Sequence, residues 1–290
     1  IVAVPDSPSD PPQSAAPAPP PQATRGAASH RTTPGVASPQ AMPNAEQLVE
    51  FYDDSYAHEG EAAQLYARWR ALGAKGKADH VIALCASAGL RPLSTLDVGC
   101  GDGALLSELR RRNFGGALHG VEITTAAVQI ASRRAEIDTV ELYDGERLRM
   151  GGGAYDLGIV SHVLEHVPSP STLLAEVGRV CGAVVLEVPL EDNLSAMRAG
   201  KREHAQEVGH LQRLSRDAAR TIVAQAGLRV AGELEDSLPL EVHRFFASTH
   251  AAHAAAAGKW GVRRGLHRLA PGLAKRLFTV HYACVCLPRS

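Results

Sequence analysis

The chain has little of what would place it at once in a specialised class of proteins. Its 30 basic and 31 acidic residues leave a formal charge of -1, which argues against a nucleic-acid-coating protein or a polybasic membrane binder. Five cysteines are too few, and odd in number, for a disulfide framework. No apolar run approaches the roughly 18 residues of a membrane span. We therefore expect a neutral, soluble, globular and cytoplasmic protein.

Aromatic residues are also scarce, at 4% of the chain, although apolar residues reach 45%. The apolar share is that of an ordinary globular protein and allows a sizeable core. Few rings remain to line a ligand pocket, which usually takes part of its lining from aromatic side chains. The first aromatic residues to consider as ligand contacts are Tyr52, Tyr56, Phe245, Phe246 and Trp260.

Proline is spread unevenly along the chain. Eleven of the 18 prolines fall between Pro5 and Pro43, mixed with Ala, Ser, Gln and Thr. Such a segment buries too little apolar surface to offset its ordering entropy, and it lacks the charged start and apolar stretch of a secretory signal. We predict a disordered, Pro/Ala-rich arm over residues 1–44, followed by one domain over residues 45–290.

Helices and strands are predicted to alternate through this domain. Residues 45–56, 60–72 and 75–88 have the spacing of three helices. Short apolar runs then predict seven strands, at residues 95–98, 119–122, 139–142, 157–161, 183–188, 228–233 and 279–287. Helical stretches between most of them imply parallel pairing with right-handed crossovers. We predict a doubly wound, seven-stranded, mostly parallel α/β sheet, with the segments 190–213 and 238–277 as covers over a substrate.

A glycine-rich turn follows the first predicted strand and is the most specific motif in the chain. Its sequence is Asp97-Val98-Gly99-Cys100-Gly101-Asp102-Gly103. The glycines allow a tight turn and let a ligand lie against the backbone, and Asp97 would be costly to bury without a polar partner. A nicotinamide site favours G-x-G-x-x-G. The spacing G-x-G-x-G with an upstream acid instead suits a ligand that has an ammonium group and no pyrophosphate.

With this turn the chain resembles the class I S-adenosylmethionine-dependent methyltransferases, in their small-molecule branch (methyltransferase domains of types 11 and 23). The resemblance runs from about Phe51 to the C-terminus and is densest between Leu96 and Ser215. It implies a Rossmann-like fold with S-adenosylmethionine as the cofactor. The residues of the turn that it places against the cofactor are Asp97, Gly99, Cys100, Gly101 and Gly103.

Two further segments carry the resemblance at the ends of the second and third strands. In Gly120-Val121-Glu122-Ile123 the acid is placed to bind the ribose hydroxyls, and Ile123 to pack on the adenine. The segment Tyr143-Asp144-Gly145-Glu146-Arg147-Leu148 is similar to the family's D-x-E-x-L and implies adenine contacts by Asp144 and Gly145. The alternatives are a surface glutamate or NAD-site acid at Glu122 and an ordinary Asp-Gly turn.

The segment after the fourth strand contains His162-Val163-Leu164-Glu165-His166. The resemblance implies that Ser161 and His162 touch the methionine part of the cofactor. The same letters match the H-x-x-E-H pattern of one zinc peptidase class, but a peptidase would need a helix here and would leave the glycine turn unexplained. Ubiquinone-type relatives have E-x-x-E-H at this place for a divalent ion. Because His162 replaces the first acid, we predict no metal and assign Glu165 and His166 to capping the loop.

Two histidines are the candidate catalytic residues. Methyl transfer from a sulfonium depends mainly on aligning the acceptor with the methyl group, and a hydroxyl acceptor also benefits from a general base, for which histidine suits neutral pH. His162 lies at a strand end, and His210 precedes Ser215, the expected N-cap of the next helix. A structural role for His210 is an equal alternative, and His204 and Glu187 are weaker candidates for the base.

Features outside the strand ends add two further hypotheses. Tyr52 and Tyr56 are four residues apart on a helix that covers the cofactor in related enzymes, so Tyr52 is assigned to the cofactor site, with plain helix packing as the alternative. Residues 255–277 contain six basic side chains. A solvated helix face is the simplest explanation, and an anionic substrate, a membrane surface or RNA are the alternatives.

Together these features predict an S-adenosylmethionine-dependent methyltransferase that acts on a small-molecule substrate, with oxygen as the preferred acceptor atom and no nucleic-acid partner. Methylation at nitrogen or carbon is the first alternative. An NAD(P)-dependent oxidoreductase and a non-catalytic cofactor-binding protein are the others. The oligomeric state does not follow from the sequence.

Overall fold

The computed structural model describes Val49, Asp53, Tyr56 and residues 60–289, apart from the side chains of residues 202, 204, 206 and 207. All of these residues belong to one compact unit, Met42–Ser290. The predicted arm over residues 1–44, the predicted cofactor contact Tyr52 and the side chain of His204 lie outside the described residues. The division into an arm and one domain therefore stays a prediction.

Seven strands form a single sheet. They are β1 (Ser94–Val98), β2 (Ala117–Glu122), β3 (Thr139–Leu142), β4 (Tyr155–Ser161), β5 (Cys181–Leu190), β6 (Leu228–Asp236) and β7 (Val280–Pro288). Their order across the sheet is β3–β2–β1–β4–β5–β7–β6. The first five strands pair in parallel, and β7 runs antiparallel between β5 and β6. The predicted doubly wound, mostly parallel sheet of seven strands is confirmed.

Helices cover both faces of this sheet. They are α1 (Gly60–Ser87), α2 (Ala104–Arg111), α3 (Thr125–Ala131), α4 (Pro170–Val180), α5 (Ala199–Glu207), α6 (Arg216–Gln225), α7 (Leu240–Arg244), α8 (His250–Leu269) and α9 (Pro271–Leu277), with a 3₁₀ turn at Leu164–His166. Val184 and Leu186 of β5 belong to one buried cluster with α4 and α6. Val185 between them belongs to a second cluster with α1 and α2. Neighbouring strand residues face opposite sides, so the sheet has a core on each face.

The prediction of two separate helices over residues 60–88 is wrong, because α1 is one helix of 28 residues. Glycine lowers helix propensity by about 1 kcal/mol relative to alanine, and Gly73 and Gly76 suggest a break. Burial of Ala78, Val81 and Leu84 on the sheet outweighs that loss, because tertiary packing supplies most of the stability of a helix in a protein. The two glycines also line the cavity described below.

The two long connections were both predicted to cover a substrate. The connection between β6 and β7 contributes Leu238, Pro239 and Val242 to the cavity described below. The connection between β5 and α6 holds α5 and contributes no described residue to that cavity. Phe245 and Phe246 of the first connection pack on Trp69 of α1, with ring centroids 5.2 and 5.0 Å apart. Among the described residues no helix combines the length and apolarity that crossing a membrane requires.

Candidate cofactor and acceptor site

One cavity of about 430 Å³ lies at the carboxyl ends of the parallel strands. It is bounded by the turn after β1, the end of β4, the middle of β5, the start of β7 and one face of α1. The sheet order changes direction between β1 and β4, and ligands of doubly wound sheets bind at such a switch point. The volume falls within the usual range for a small-molecule site.

About half of the predicted cofactor residues border this cavity. Those that line it are Asp97, Gly99, Cys100, Gly101, Ser161 and His162. Those that are not among the described lining residues are Gly103, Glu122, Ile123, Asp144 and Gly145. Of the aromatic residues considered as ligand contacts, Tyr56 lines the cavity, and Trp69, which the sequence did not single out, lines it as well.

The turn after β1 requires its glycines. Gly99, Gly101 and Gly103 have φ values of 73°, 54° and 74°, a region that other residues enter only with strain. A Cβ atom at Gly99 would lie 2.6 Å from Val163 Cγ2, and one at Gly101 would collide with the Tyr56 hydroxyl. Gly103 is the N-cap residue of α2. The glycine turn therefore packs directly against the side chains of Val163 and Tyr56.

Asp97 is a buried acid that faces this cavity. Its side chain is 3% exposed, and we find no hydrogen bond to its carboxylate from any described residue. Burial raises the pKa of Asp97 to about 7, with the charge of Lys77 opposing the shift. A buried carboxylate without a polar partner is costly, and a cationic group of a ligand would remove that cost. The residues present thus fit the ammonium group of S-adenosylmethionine.

Glu122 at the end of β2 has both carboxylate oxygens engaged. They accept hydrogen bonds from the backbone amides of Gly101 at 2.9 Å and Ile123 at 2.7 Å. Burial raises the pKa of Glu122, and the amide bonds oppose the shift. Glu122 therefore fixes the glycine turn in this structure. Each carboxylate oxygen still has a second lone pair, and the assignment to the ribose stays a prediction.

The segment assigned to the adenine forms a turn beside β2. Asp144 is exposed, and its Oδ1 atom accepts hydrogen bonds from the amides of Glu146 and Arg147 at 2.9 Å. These bonds lower its pKa. A Cβ atom on Gly145 would lie 3.5 Å from Ile123 Cγ2. Two of the predicted adenine contacts are thus neighbours, and their role toward the adenine stays a prediction.

Asp102 ties α1 to the glycine turn, a role that the sequence did not indicate. Its side chain is 2% exposed, and its Oδ2 atom lies 3.0 Å from Arg70 Nε and 3.0 Å from Arg134 Nη2. The guanidinium of Arg70 also stacks 4.9 Å above the ring of Tyr56. The one sequence feature that could have indicated this role is the position of Asp102, an acid between Gly101 and Gly103 to which the family resemblance assigns no ligand.

The inner wall of the cavity holds four side chains, His80, His162, Glu187 and His281, which we call the histidine–carboxylate group. Glu187 is 1% exposed and lies at its centre. Its Oε1 atom is 3.3 Å from His80 Nδ1, 3.3 Å from His281 Nδ1 and 3.6 Å from His162 Nε2. Burial alone would raise the pKa of Glu187, but the three imidazoles beside it hold that pKa well below its usual range.

His162 enters this group with a strained backbone. Its φ is 58°, the left-handed region that a non-glycine residue occupies at a cost of about 1–3 kcal/mol, often at functional sites. Its amide donates to the Glu187 carbonyl at 2.9 Å, and its Nδ1 atom lies 3.4 Å from Glu165 Oε1. Burial and the charge of Lys77 lower the pKa of His162, but the nearby carboxylates of Glu165 and Glu187 outweigh them and raise it.

The second predicted catalytic histidine lies in a different cluster. His210 Nδ1 is 2.9 Å from Glu191 Oε2, and its ring packs edge-on against His166, with centroids 4.8 Å apart. His210 is not among the described residues that line the cavity. Ser215 caps α6 as predicted, because its Oγ atom accepts from the amide of Ala218 at 3.0 Å. The catalytic role of His210 stays a prediction.

No sequence motif contains His80 or His281, and Glu187 is only a weak candidate for the base on sequence grounds. They are distant along the chain, on α1, β7 and β5, so no local spacing joins them. The one available signal was an acid in the otherwise apolar run of β5, since a buried carboxylate requires partners.

Comparison with known proteins identifies the family. The family model of a methyltransferase domain matches residues 66–232, more than half of the 290 residues. The ubiquinone biosynthesis O-methyltransferase of Nitrosococcus oceani is 32% identical over 90 residues, which are 29% of this chain and 37% of that protein. The Escherichia coli enzyme of the same name is 27% identical over 154 residues, 49% of this chain and 62% of that protein. The chain thus spans less than two thirds of these relatives.

Solved structures share the fold at low identity. Geranyl diphosphate C-methyltransferase from Streptomyces coelicolor, solved with Mg²⁺, geranyl diphosphate and S-adenosyl-L-homocysteine, aligns with a TM-score of 0.58 at 16% identity over 86% of this chain and 99% of that one. Magnesium protoporphyrin IX methyltransferase from Synechocystis gives 0.53 at 16% identity over 85% and 100%. The [4+2]-cyclase SpnF gives 0.55 at 16% identity over 85% and 97%, so the fold alone does not fix the reaction. The family match, the sheet order and the glycine turn together show that the chain belongs to the class I S-adenosylmethionine-dependent methyltransferases, as its sequence predicts.

Proposed function

We propose that the protein transfers a methyl group from S-adenosylmethionine to an oxygen atom of a small molecule bound in the inner part of the cavity. One observation carries the proposal. The same cavity is lined on one side by the glycine turn with Asp97 and on the other by the histidine–carboxylate group. The first side suits a cofactor with an ammonium group, and the second suits removal of a proton from a hydroxyl.

On the cofactor side, the chain supplies binding and orientation. Asp97 pairs with the ammonium group, and the glycine turn borders the same cavity at Gly99 and Gly101. S-adenosylmethionine supplies an electrophilic methyl group when it is bound. Holding the acceptor in line with that group contributes on the order of 7–11 kcal/mol to lowering the barrier.

On the acceptor side, His162 is the predicted catalytic histidine that borders the cavity. Its imidazole would accept the hydroxyl proton as the acceptor oxygen bonds to the methyl carbon and the bond between that carbon and sulfur breaks, so that the neutral thioether leaves. Glu187 and Glu165 stabilise the resulting imidazolium, because their carboxylates lie 3.6 and 3.4 Å from its two ring nitrogens. A positioned base contributes roughly 10²–10⁴-fold to such a reaction. The position of His210 beside Glu191 favours a role in holding the loop.

Oxygen is favoured over nitrogen by this arrangement. An uncharged amine carries a free lone pair and reacts without losing its proton first, whereas a phenol with a pKa near 10 gains from a base. The three imidazoles and one carboxylate at the inner wall therefore suit a hydroxyl acceptor better than an uncharged amine.

Two measurements test the proposal. Calorimetry with S-adenosylmethionine and, separately, NADH should give binding of the first and none of the second. The full chain with methyl-labelled S-adenosylmethionine should then label hydroxylated small molecules in a mixed panel of phenols, alcohols and amines. Binding of NADH alone would overturn the cofactor assignment. Labelling confined to amines would overturn the assignment to oxygen.

A further inference from the structure

The histidine–carboxylate group has the spacing of a coordination sphere. The ligand atoms of His162, Glu187 and His281 all lie within 4.8 Å of one another, and Glu187 Oε1 is 3.6 Å from His162 Nε2 and 3.3 Å from His281 Nδ1. Two ligand atoms that bind one ion at about 2.1 Å are about 3.4 Å apart in a tetrahedral site. These side chains therefore need little movement to share an ion.

Two polar atoms of this group lack partners. Among the described residues, neither His162 Nε2 nor Glu187 Oε2 has a hydrogen-bond partner, although both atoms are buried. Glu187 as a whole is 1% exposed. A buried polar atom without a partner costs roughly 1–3 kcal/mol. An ion bound by His162 Nε2 and by the Glu187 carboxylate would give a partner to both residues.

Further polar side chains lie next to His162 and Glu187. The second ring nitrogen of His162, Nδ1, lies 3.4 Å from Glu165 Oε1. Behind Glu187 stands His80, with Nδ1 3.3 Å from Glu187 Oε1 and Nε2 3.4 Å from Asp236 Oδ2. Metal-binding histidines usually donate their other N–H to a carboxylate, and metal-binding carboxylates are in turn hydrogen-bonded. Glu165 and His80 lie close enough to His162 and Glu187 to form such hydrogen bonds.

We propose that His162, Glu187 and His281 bind a late first-row divalent ion, for which Zn²⁺ is the best match. Two imidazoles and one carboxylate suit zinc and its neighbours, whereas Mg²⁺ and Ca²⁺ prefer oxygen ligands. Three protein ligands leave one position open, and all three residues line the cavity. The site shares only His162 with the E-x-x-E-H position of ubiquinone-type enzymes, since Glu187 and His281 come from β5 and β7.

An ion here would change the role of His162. An acceptor oxygen bound at the open position would lose its proton near neutral pH, as zinc-bound water does at a pKa of about 7. His162 would then act as a ligand and not as the proton acceptor. This consequence rests on the proposed methyl transfer to oxygen, but binding of the ion does not.

The binding test uses the untagged full chain after removal of metals with a chelator. Calorimetry with Zn²⁺ should give one ion per chain, and Co²⁺ should give the visible absorption of a four-coordinate site. Glu187→Gln and His281→Gln should each weaken Zn²⁺ binding by at least 100-fold, and His80→Gln by about 10–100-fold because it acts from behind. The control His250→Gln changes an exposed histidine at the start of α8 and should leave binding unchanged.

A second histidine cluster provides the alternative location. Glu165, His166 and His210 also bring three ligand atoms together. If His210→Gln removes the ion and His281→Gln does not, the ion lies there and our assignment is wrong. The assignment is also wrong if the stripped chain takes up neither Zn²⁺ nor Co²⁺. Circular dichroism confirms that each variant is folded.

The same samples separate this inference from the proposed function. S-adenosylmethionine binds at the glycine turn, so its titration should give the same affinity with and without Zn²⁺. Chain that binds S-adenosylmethionine but no ion would overturn the metal site alone. Chain that binds the ion but no S-adenosylmethionine would overturn the proposed methyl transfer and leave the metal site in place.

Discussion

The carboxylate of Glu122 accepts a 2.9 Å hydrogen bond from the amide of Gly101, which links the end of β2 to the glycine turn after β1. The other carboxylate oxygen accepts from the amide of Ile123 at 2.7 Å. An acid that the family resemblance assigns to the ribose thus also fixes the backbone against which the cofactor would lie. The conformation of the glycine turn and the predicted binding of the ribose therefore both depend on Glu122.

We therefore expect Glu122→Gln to weaken S-adenosylmethionine binding through the turn as well as through the ribose. Hydrogen bonds to a charged group contribute about 1.5–3 kcal/mol each, and the amide of glutamine directs an N–H group at one of the two backbone donors. Calorimetry should give a rise in Kd of about 10–100-fold, and the melting temperature should fall. Glu141→Gln, an exposed acid on β3, is the control. An unchanged Kd in the Glu122 variant would remove Glu122 from the site.

Gly101→Ala should abolish cofactor binding, because a Cβ atom at this position collides with the Tyr56 hydroxyl and the φ of 54° disfavours alanine. Adding Tyr56→Phe removes the hydroxyl and should restore part of the affinity. The matched control is Gly153→Ala, where φ is 67° but nothing lies within 4 Å. That change should cost about 1 kcal/mol in unfolding free energy and leave Kd unchanged. If Gly101→Ala binds S-adenosylmethionine as weakly with Tyr56→Phe as without it, the collision with the Tyr56 hydroxyl is not the cause of the lost affinity.

The sequence was sufficient for the parts of the site that follow from local rules. Strand ends in a parallel sheet meet at one edge, so the positions of Asp97, Gly101 and Ser161 beside one cavity follow from the alternation of strands and helices. The length of α1 did not follow, because the packing of its apolar face on the sheet outweighs the helix-breaking tendency of Gly73 and Gly76.

The histidine–carboxylate group could not be found in this way. His80 and His281 are 201 positions apart, and neither belongs to a motif. They meet because β7 inserts between β5 and β6, which pairs His281 with Pro189, and because α1 crosses the same end of the sheet. The antiparallel pairing of the last strand brings His281 to Glu187, and no spacing in the sequence encodes that register.

Cofactor affinity should depend on pH through Asp97. Burial raises the pKa of this carboxyl from its ordinary 3.8 to about 7 in the ligand-free protein, so below pH 7 it is protonated, and an incoming ammonium group must displace the proton. The Kd for S-adenosylmethionine should therefore fall about tenfold per pH unit from pH 5.5 to 7. It should level off until the ligand's own amino group loses its proton near pH 8.

Calorimetry in two buffers with different ionisation enthalpies checks this coupling. Binding at pH 6 should release close to one proton per cofactor. Asp97→Asn removes the titrating group, so its Kd should be higher at pH 7.5 and independent of pH between 5.5 and 7.

The raised pKa of Asp97 also makes the stability of the fold depend on pH. A carboxyl with a raised pKa destabilises the ligand-free fold as the pH rises from about 4 to 7, and this part of the pH dependence should also disappear in Asp97→Asn.

The left-handed backbone of His162 allows its side chain and its strain to be separated. At a φ of 58°, glycine is relaxed, whereas alanine and histidine are strained by about 1–2 kcal/mol. His162→Ala removes the imidazole and retains the strain, and His162→Gly removes both. We expect both variants to lose methyl transfer by about 10²–10⁴-fold, with the glycine variant more stable than the alanine variant by about 1 kcal/mol in denaturant unfolding.

S-adenosylmethionine affinity, measured in parallel, should change much less than kcat, because Asp97 and the glycine turn remain intact. Equal loss of affinity and rate would instead make His162 a cofactor contact, as the family resemblance also implies. A glycine variant that is less stable than the alanine variant would show that the native loop compensates the backbone strain.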